Sequence, residues 1–464
     1  ANTHQPMQSL LSRVAEDYSV PAVAAAAVAG GRVVEVATHG WRNLERRLPM
    51  TADTPSRWYS ITKPLTTLVL ARLVAAGKLH WDQPVSQIVP AARFADPVAT
   101  ERATIADCLL HRTGLGSGDW TWIGGPSDPA ELLRRLPHLP CRPGFRYGHY
   151  YQNLNFTILG QVIRACGTDW HTEMRSMLGA LGIRALTQLA EFVAADRALG
   201  YGPNGFTPPQ PAADFDFEGI APASAVCGSI TELAQLALSL SLSGEGLVCT
   251  RDFMRITKPM LALEHSDWPE FRVPCVALAG RTVVYRGEIA LHWAGGFTGY
   301  TSHIVVLPER RVAGCALSNR SACPAADLLA WSMLDRTAGW EPLPWADRYL
   351  ALKKRQRRRG QEHLAARLAR PAAPWPDAET SGTFRHGAYG ELTVTPDRRL
   401  LFRNVDLPLV ARPDGTVCAD GSSPDFAEIC WDLRPVIEGN RVAAWDFNPD
   451  DPAAPCRFTR AQPL

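Results

Sequence analysis

At 464 residues the chain is long enough for two or three domains and a large core. Its 46% hydrophobic and 20% charged residues are those of an ordinary globular protein, and a net charge of +2 excludes bulk attraction to nucleic acid or membrane. No stretch approaches ~18 consecutive apolar residues, which excludes a membrane-spanning helix. The 11 cysteines are scattered without a Cys-x-x-Cys pair, and the N-terminal residues are polar, without an apolar signal core. Both features read as reduced thiols in a cytoplasmic protein.

In chain order, Gln8 to Tyr18 has the apolar spacing of an amphipathic helix. Val20 to Val28 and Arg32 to Thr38 flank Gly30-Gly31, which predicts a β-hairpin. Trp58 to Pro64 reads as a turn entering a helix. Leu65 to Leu79 is apolar nearly all round, so that helix is buried, and Gly77 ends it. Thr104 N-caps a further helix that stops at His111 to Leu115. Gly116 to Pro129, rich in Gly, Ser and Trp, is a loop near a cleft. Pro143-Gly144 turns the chain into Tyr150 to Asn153, and Asn155 to Cys166 is helical. Leu199 to Ala223 shows little periodicity, and loops of that length are usually lids or excursions. Ile230 to Leu242 and Asp252 to Pro259 are helices. Then the period becomes two, and Arg272 to Ala279, Thr282 to Leu291, Thr301 to Pro308 and Arg311 to Asn319 read as antiparallel strands. Ala325 to Ala338 is a closing helix.

The simplest assembly is α+β: one antiparallel sheet built from both ends of this region, flanked by helices, with an all-helical insert between. This first domain spans residues 1–350. Residues 351–376 form a basic helix and a Pro/Ala linker. Residues 377–464 alternate in short strands punctuated by turn residues, and about eight strands at the usual spacing make a small closed antiparallel barrel.

Three stretches carry chemistry. Ser60 and Lys63 stand nearly one helical turn apart, so both project from one face. In the first turn, free backbone N–H groups and the positive dipole end favour a developing anion. Lys63 takes the serine proton if its surroundings depress its pKa. Alone, this spacing is a weak signal and more often marks a capped helix with a solvated lysine. Tyr151-Gln152-Asn153 adds a phenol able to shuttle protons and an amide able to hold both lysine and substrate. His292 to Tyr300 adds Gly295 and Gly296, whose backbone can approach a substrate carbonyl. His292 and Trp293 are neighbours on a strand, so only one of them enters the cleft.

Together these stretches resemble the serine β-lactamase/DD-peptidase superfamily in its class C β-lactamase-like and D-stereospecific peptidase branch. Trp58 to Pro64 is similar to the family's aromatic-x-Ser-x-Thr-Lys-Pro. Thr104 to Leu115 resembles its Leu-Leu-x-His-x-Ser-Gly-Leu stretch, and Tyr151 to Gly160 its Tyr-x-Asn plus helix. Leu307-Pro308-Glu309 and Leu317-Ser318-Asn319 also fit. Counting back from Gly299-Tyr300 puts Trp293 where the family has Lys or His, while His292 fits that place only with a one-residue bulge. We assign His292 to catalysis and Trp293 to packing or substrate contact.

The resemblance implies acyl transfer through an acyl-Ser60 ester, with Lys63 and Tyr151 as proton carriers and no metal or cofactor. A catalytic domain followed by a β-barrel resembles two groups: penicillin-binding-protein-type thioesterases, which are peptide cyclases of nonribosomal peptide pathways, and D-aminopeptidases with related amidases and esterases. The first group implies a peptide delivered by a peptidyl carrier domain and released by its own amine as a macrolactam. The second implies hydrolysis. Asn153, Trp293, Gly295 and Gly296 would bind substrate. The resemblance also implies that the barrel walls the cleft with an arginine. Arg460 is placed ahead of Arg457 for that role, because alternation leaves Arg460 at the rim. The basic run Lys353 to Arg359, including Arg357 and Arg358, is either a solvated helix face or a dock for an acidic carrier.

Overall fold

The structure, a computed structural model, describes residues 6–142, 144–203, 208–264, 266, 268–421, 426 and 428–462. Pro143 of the expected turn and residues 204–207 of the expected excursion lie outside the described residues.

A nine-stranded antiparallel sheet forms the centre. Its strands are β1 (Ala22–Ala29), β2 (Arg32–Asn43), β3 (Leu48–Pro49), β4 (Leu261–Ala262), β5 (Phe271–Val276), β6 (Arg281–Tyr285), β7 (Glu288–Phe297), β8 (Tyr300–Leu307) and β9 (Val312–Ser318). The order across the sheet is β3-β2-β1-β9-β8-β7-β6-β5-β4, so the two ends of the domain meet where β1 pairs with β9. Both faces of the central strands are buried, which explains the unbroken apolar run of β1. Ala22, Ala24, Leu291, Trp293 and Ile304 face the helical insert. Val23, Ala25, Val305 and Ala316 face the terminal helices. The expected strand from Thr282 to Leu291 is two strands, β6 and β7. The chain reverses at Arg286-Gly287, both at positive φ. Periodicity alone missed this turn because the apolar alternation continues through it.

The helices that matter for the site are α1 (Met7–Asp17), α2 (Thr62–Ala75), α3 (Leu154–Ala165), α4 (Ile230–Ser241), α5 (Ala325–Thr337) and α6 (Trp345–Leu368). Helix α2 is buried through nearly its whole circumference. Its C-terminus closes as a Schellman motif: Gly77 sits at φ 72°, its N–H reaches Val74 O, and Lys78 N–H reaches Leu73 O.

The second domain is a closed eight-stranded antiparallel barrel from Gly382 to Arg460. Helix α6 leads to it and begins at Trp345, within the stretch assigned to the first domain. Trp345 is buried against Phe271 and Trp268. At the other end Arg367 bridges Asp420 and Asp432 of the barrel at 2.7 and 2.6 Å. The barrel docks on the loop Gly116 to Pro129 and the stretch after it. Trp120 packs against Phe402, Phe426 and Trp431 with ring centroids 5.0–5.8 Å apart. Arg135 and Arg142 donate to Ala388 O and Ala453 O. Through these contacts the two cores become one continuous apolar cluster.

Candidate active site

Ser60 lies in the short 3-10 turn that runs directly into α2. The preceding Tyr59 is held at φ 48°, a conformation costly for an aromatic residue. Its ring is fully enclosed and its hydroxyl donates to Thr298 O at 2.5 Å. The strain is thus locked in by packing, and it presents Ser60 at the cleft. No local pattern in the sequence marks it.

Lys63 Nζ donates to Ser60 Oγ at 2.9 Å and to Ala223 O at 3.2 Å. It is 5% exposed and lies over the Tyr151 and Phe156 rings. The Tyr151 hydroxyl meets Ser60 Oγ at 2.7 Å. The structure therefore brings together the three residues that the sequence had separated by 91 positions.

Tyr151 stands on an irregular segment that the His111 ring supports. The two rings stack with centroids 4.7 Å apart. Gln152 N–H donates to His111 Nδ1 at 3.0 Å, so the neutral imidazole carries its proton on Nε2. Burial, then His149 and Lys63, push the His111 pKa well down, and the ring stays uncharged beside Lys63. The sequence placed His111 in a motif but gave it no role.

Asn153 donates from Nδ2 to Asp119 Oδ1 at 2.9 Å. Asp119 Oδ1 also accepts from Trp122 Nε1 at 3.0 Å. Among the described residues, buried Asn153 Oδ1 has no partner, which leaves an acceptor for a substrate N–H.

Beyond Leu291 and His292, β7 has no strand partner on its β6 side among the described residues, so Trp293 to Phe297 form a free edge beside the serine. A Cβ on Gly295 would lie 2.1 Å from Trp58 O and 2.8 Å from Ser60 N. Only glycine permits that approach, and it sets the edge against the Ser60 N–H, the arrangement an oxyanion site needs.

This geometry corrects the reading of His292. The pairing of β7 with β8 runs without a shift, so His292 lies on the face opposite Gly295. Its ring is directed to His303 and Trp331, and burial followed by His303 pushes its pKa well down. The residue borders the cavity but stands behind the strand from Ser60. Trp293 faces the serine side, buried, with Nε1 donating to Ala279 O at 3.1 Å and its ring against Gly280. It packs under the cleft and forms part of its lining.

The barrel arginines are corrected too. Arg460 donates to the carbonyls of Val442, Ser381 and Glu379 and lies over Phe384, fastening the incoming chain to the barrel. Arg457 pairs with Asp446 at 2.8 Å on the surface. Neither lines the cleft.

The cleft itself holds about 470 Å³. One wall is aromatic: Trp122, Phe217 and Phe297 line it, with Phe297 5.5 Å from Trp122 and 6.0 Å from Phe217. Phe217 comes from the long segment read as an excursion. Barrel residue Phe426 stands 6.5 Å from Phe297, so the barrel reaches the wall through this ring. Among the described residues no group of His, Cys, Asp and Glu has metal-binding geometry, and no helix is long and apolar enough to cross a membrane.

Known proteins share this architecture. An octameric penicillin-binding protein homologue from Pyrococcus abyssi superposes with a TM-score of 0.65 at 20% identity, covering 98% of this chain and 99% of that one. SurE superposes with a TM-score of 0.57 at 19% identity over 98% of both chains. An unguisins hydrolase from Aspergillus campestris is 24% identical over 86% of this chain and 79% of its own length. A D-aminopeptidase from Brucella anthropi is 28% identical over 42% of this chain, a match that spans 38% of that enzyme. The Beta-lactamase family pattern matches residues 7–338, the whole sheet and helical insert around Ser60, and the chain belongs to that family of serine hydrolases and acyltransferases.

Proposed function

We propose that the protein is a peptidyl acyltransferase. A peptidyl thioester, delivered by a peptidyl carrier domain, acylates Ser60, and the amine at the other end of the same peptide releases it as a macrocycle. The observation that carries the acyl transfer is the approach of Lys63 Nζ and Tyr151 OH to Ser60 Oγ, at 2.9 and 2.7 Å. The Lys63–Tyr151 pair takes the serine proton as Oγ attacks the thioester carbonyl. The Ser60 N–H and the Gly295–Gly296 edge receive the oxyanion, and the thiol leaves with a proton. Asn153 Oδ1 accepts from the peptide backbone.

Release by an amine is supported by the aromatic wall, which keeps bulk water from the ester and receives an apolar side chain. Full-length likeness to SurE, which is also known in a form with D-Leu, supports a peptide whose acyl residue is of D configuration.

A second reading, hydrolysis, is favoured by a relative that aligns with 86% of this chain and whose name is a hydrolase's, and by the D-aminopeptidase match. Incubation with a linear peptide thioester ending in a D-residue separates them. Cyclic product by mass is expected, and free acid alone overturns the cyclase reading. Ser60→Ala is expected to abolish both products and the covalent acyl adduct.

A further inference from the structure

A second chamber of about 650 Å³ adjoins the serine cleft. The two share Gly296, Phe297, Thr301 and Asp327, so they meet around the free end of β7. Trp268, Tyr349, Leu352 and Phe426 line the far chamber with apolar surface.

Two carboxylates border the serine cleft, and they differ. Asp119 Oδ1 accepts from Asn153 and Trp122, which ties that carboxylate to the amide in the cleft. Asp327 lies at the junction, in the first turn of α5, where the helix dipole favours its charge. Its side chain is 37% exposed, and His303 Nδ1 bonds to its Oδ1 alone. His303 is 5% exposed and pairs with Ala294 beside the glycines. Its imidazole, on the sheet face that His292 occupies, holds Asp327 Oδ1, and Asp327 borders both cavities where they meet around the free end of β7. His303 Nε2 has no hydrogen-bond partner among the described residues, so its bond to Asp327 has no competitor across the ring.

We propose that Asp327, positioned by His303, is the subsite for the substrate's amino terminus. The ligand class is a peptide with a free primary amine, its body in the far chamber and its ammonium on Asp327 Oδ2. This rests on the cyclase reading and names the residue that selects the nucleophile. The steps balance. The ammonium gives one proton to solvent at the Asp327 carboxylate and becomes a neutral amine. Its nitrogen attacks the acyl-Ser60 carbonyl and the C–N bond forms. The C–O bond to Ser60 breaks, and the second amine proton passes through Tyr151 to Ser60 Oγ.

The test uses the full chain carrying Ser60→Ala, so that binding is read without turnover. A linear peptide amide with a free amine and its N-acetylated counterpart are titrated calorimetrically. Acetylation is expected to weaken binding at least tenfold, and adding Asp327→Asn is expected to erase that difference. An acetylation penalty that persists with Asp327→Asn, or none in its presence, overturns the proposal. The isosteric change preserves the helix, and an unchanged melting temperature verifies it. With Ser60 intact, Asp327→Asn is expected to shift product from cyclic to linear. Failure of the unsubstituted protein to form acyl-Ser60 at all would strike the cyclase reading instead, leaving the amine preference to be read from the binding arm.

Discussion

The barrel residue Asp450 accepts the backbone N–H of Asp119 at 3.2 Å, and Asp119 in turn holds Asn153 in the serine cleft. One chain of three residues therefore links the second domain to the substrate amide acceptor. Asp450 Oδ2 takes the Trp120 N–H as well, so the carboxylate anchors the loop whose indole packs against the barrel.

That anchor titrates. Burial, then the neighbouring Asp119 charge, raises the Asp450 pKa from 3.8 to about 7. A carboxyl whose folded pKa is raised stabilises the fold fully below its unfolded value and loses that contribution as pH rises through the folded one. The docked barrel is thus expected to weaken progressively from about pH 4 to just above pH 7. Melting curves across that range should fall with pH in the unsubstituted protein and stay flatter in Asp450→Asn, which keeps an acceptor oxygen for the loop. Parallel curves would show that Asp450 does not titrate there.

Gly295 and Gly296 are adjacent but are expected to respond oppositely. A methyl on Gly295 meets Trp58 O at 2.1 Å, whereas on Gly296 it meets Thr301 Cγ2 at 3.5 Å, an ordinary contact. Gly295→Ala should force the edge away from Ser60 and cost on the order of 10²–10³ in rate, the usual loss for an oxyanion donor. Gly296→Ala should retain covalent labelling of Ser60 by an acylating probe. Labelling kinetics of the two variants decide the point, and equal losses would mean the β7 edge is not what the glycines serve.

Trp120 is the loop's aromatic contribution to the barrel core. Trp120→Ala should cost roughly 3–5 kcal/mol, the usual loss for a buried tryptophan. Chemical denaturation measures that cost. Because the same loop carries Asp119 and Trp122, the variant should also raise the proportion of linear acid over cyclic peptide. A destabilised variant with an unchanged product ratio would make the barrel a support for the fold and no part of the acyl site.

What the sequence revealed followed from local geometry. Ser60 and Lys63 were legible as a pair because one helical turn fixes their relation. Tyr151 was legible through its motif, yet its partner His111 was not, since ring stacking between two loops leaves no periodic trace. The strained Tyr59 has no compositional signal of the glycine kind. His292 was misassigned although strand alternation had already placed it opposite Trp293: without the register, nothing said which face held Ser60. Arg460 failed differently. Its position at the end of the last strand was read correctly, but three backbone carbonyls from distant segments satisfy its guanidinium. Asp327 was unremarkable in sequence because its meaning comes from two cavities meeting beside it.

The basic run on α6 bears on how a substrate arrives. Leu352, Lys353 and Gln356 line the far chamber, so this stretch of the helix borders that chamber. The next residues, Lys354, Arg355 and Arg358, are exposed. Arg358 has Glu362 as a surface partner at 3.7 Å, and such a pair contributes only about 0–1 kcal/mol, so its charge remains available to a docking protein. An acidic carrier domain steered to this face would place its peptidyl arm beside that chamber. Charge reversal by Arg355→Glu with Arg358→Glu is therefore expected to raise KM for carrier-delivered substrate about tenfold at low salt, and added salt should narrow the gap as screening removes the attraction. A small thioester reaches Ser60 without docking, and its kinetics should not change. Equal effects on both substrates would mean the reversal disturbs the helix or chamber, and the carrier would have to dock elsewhere.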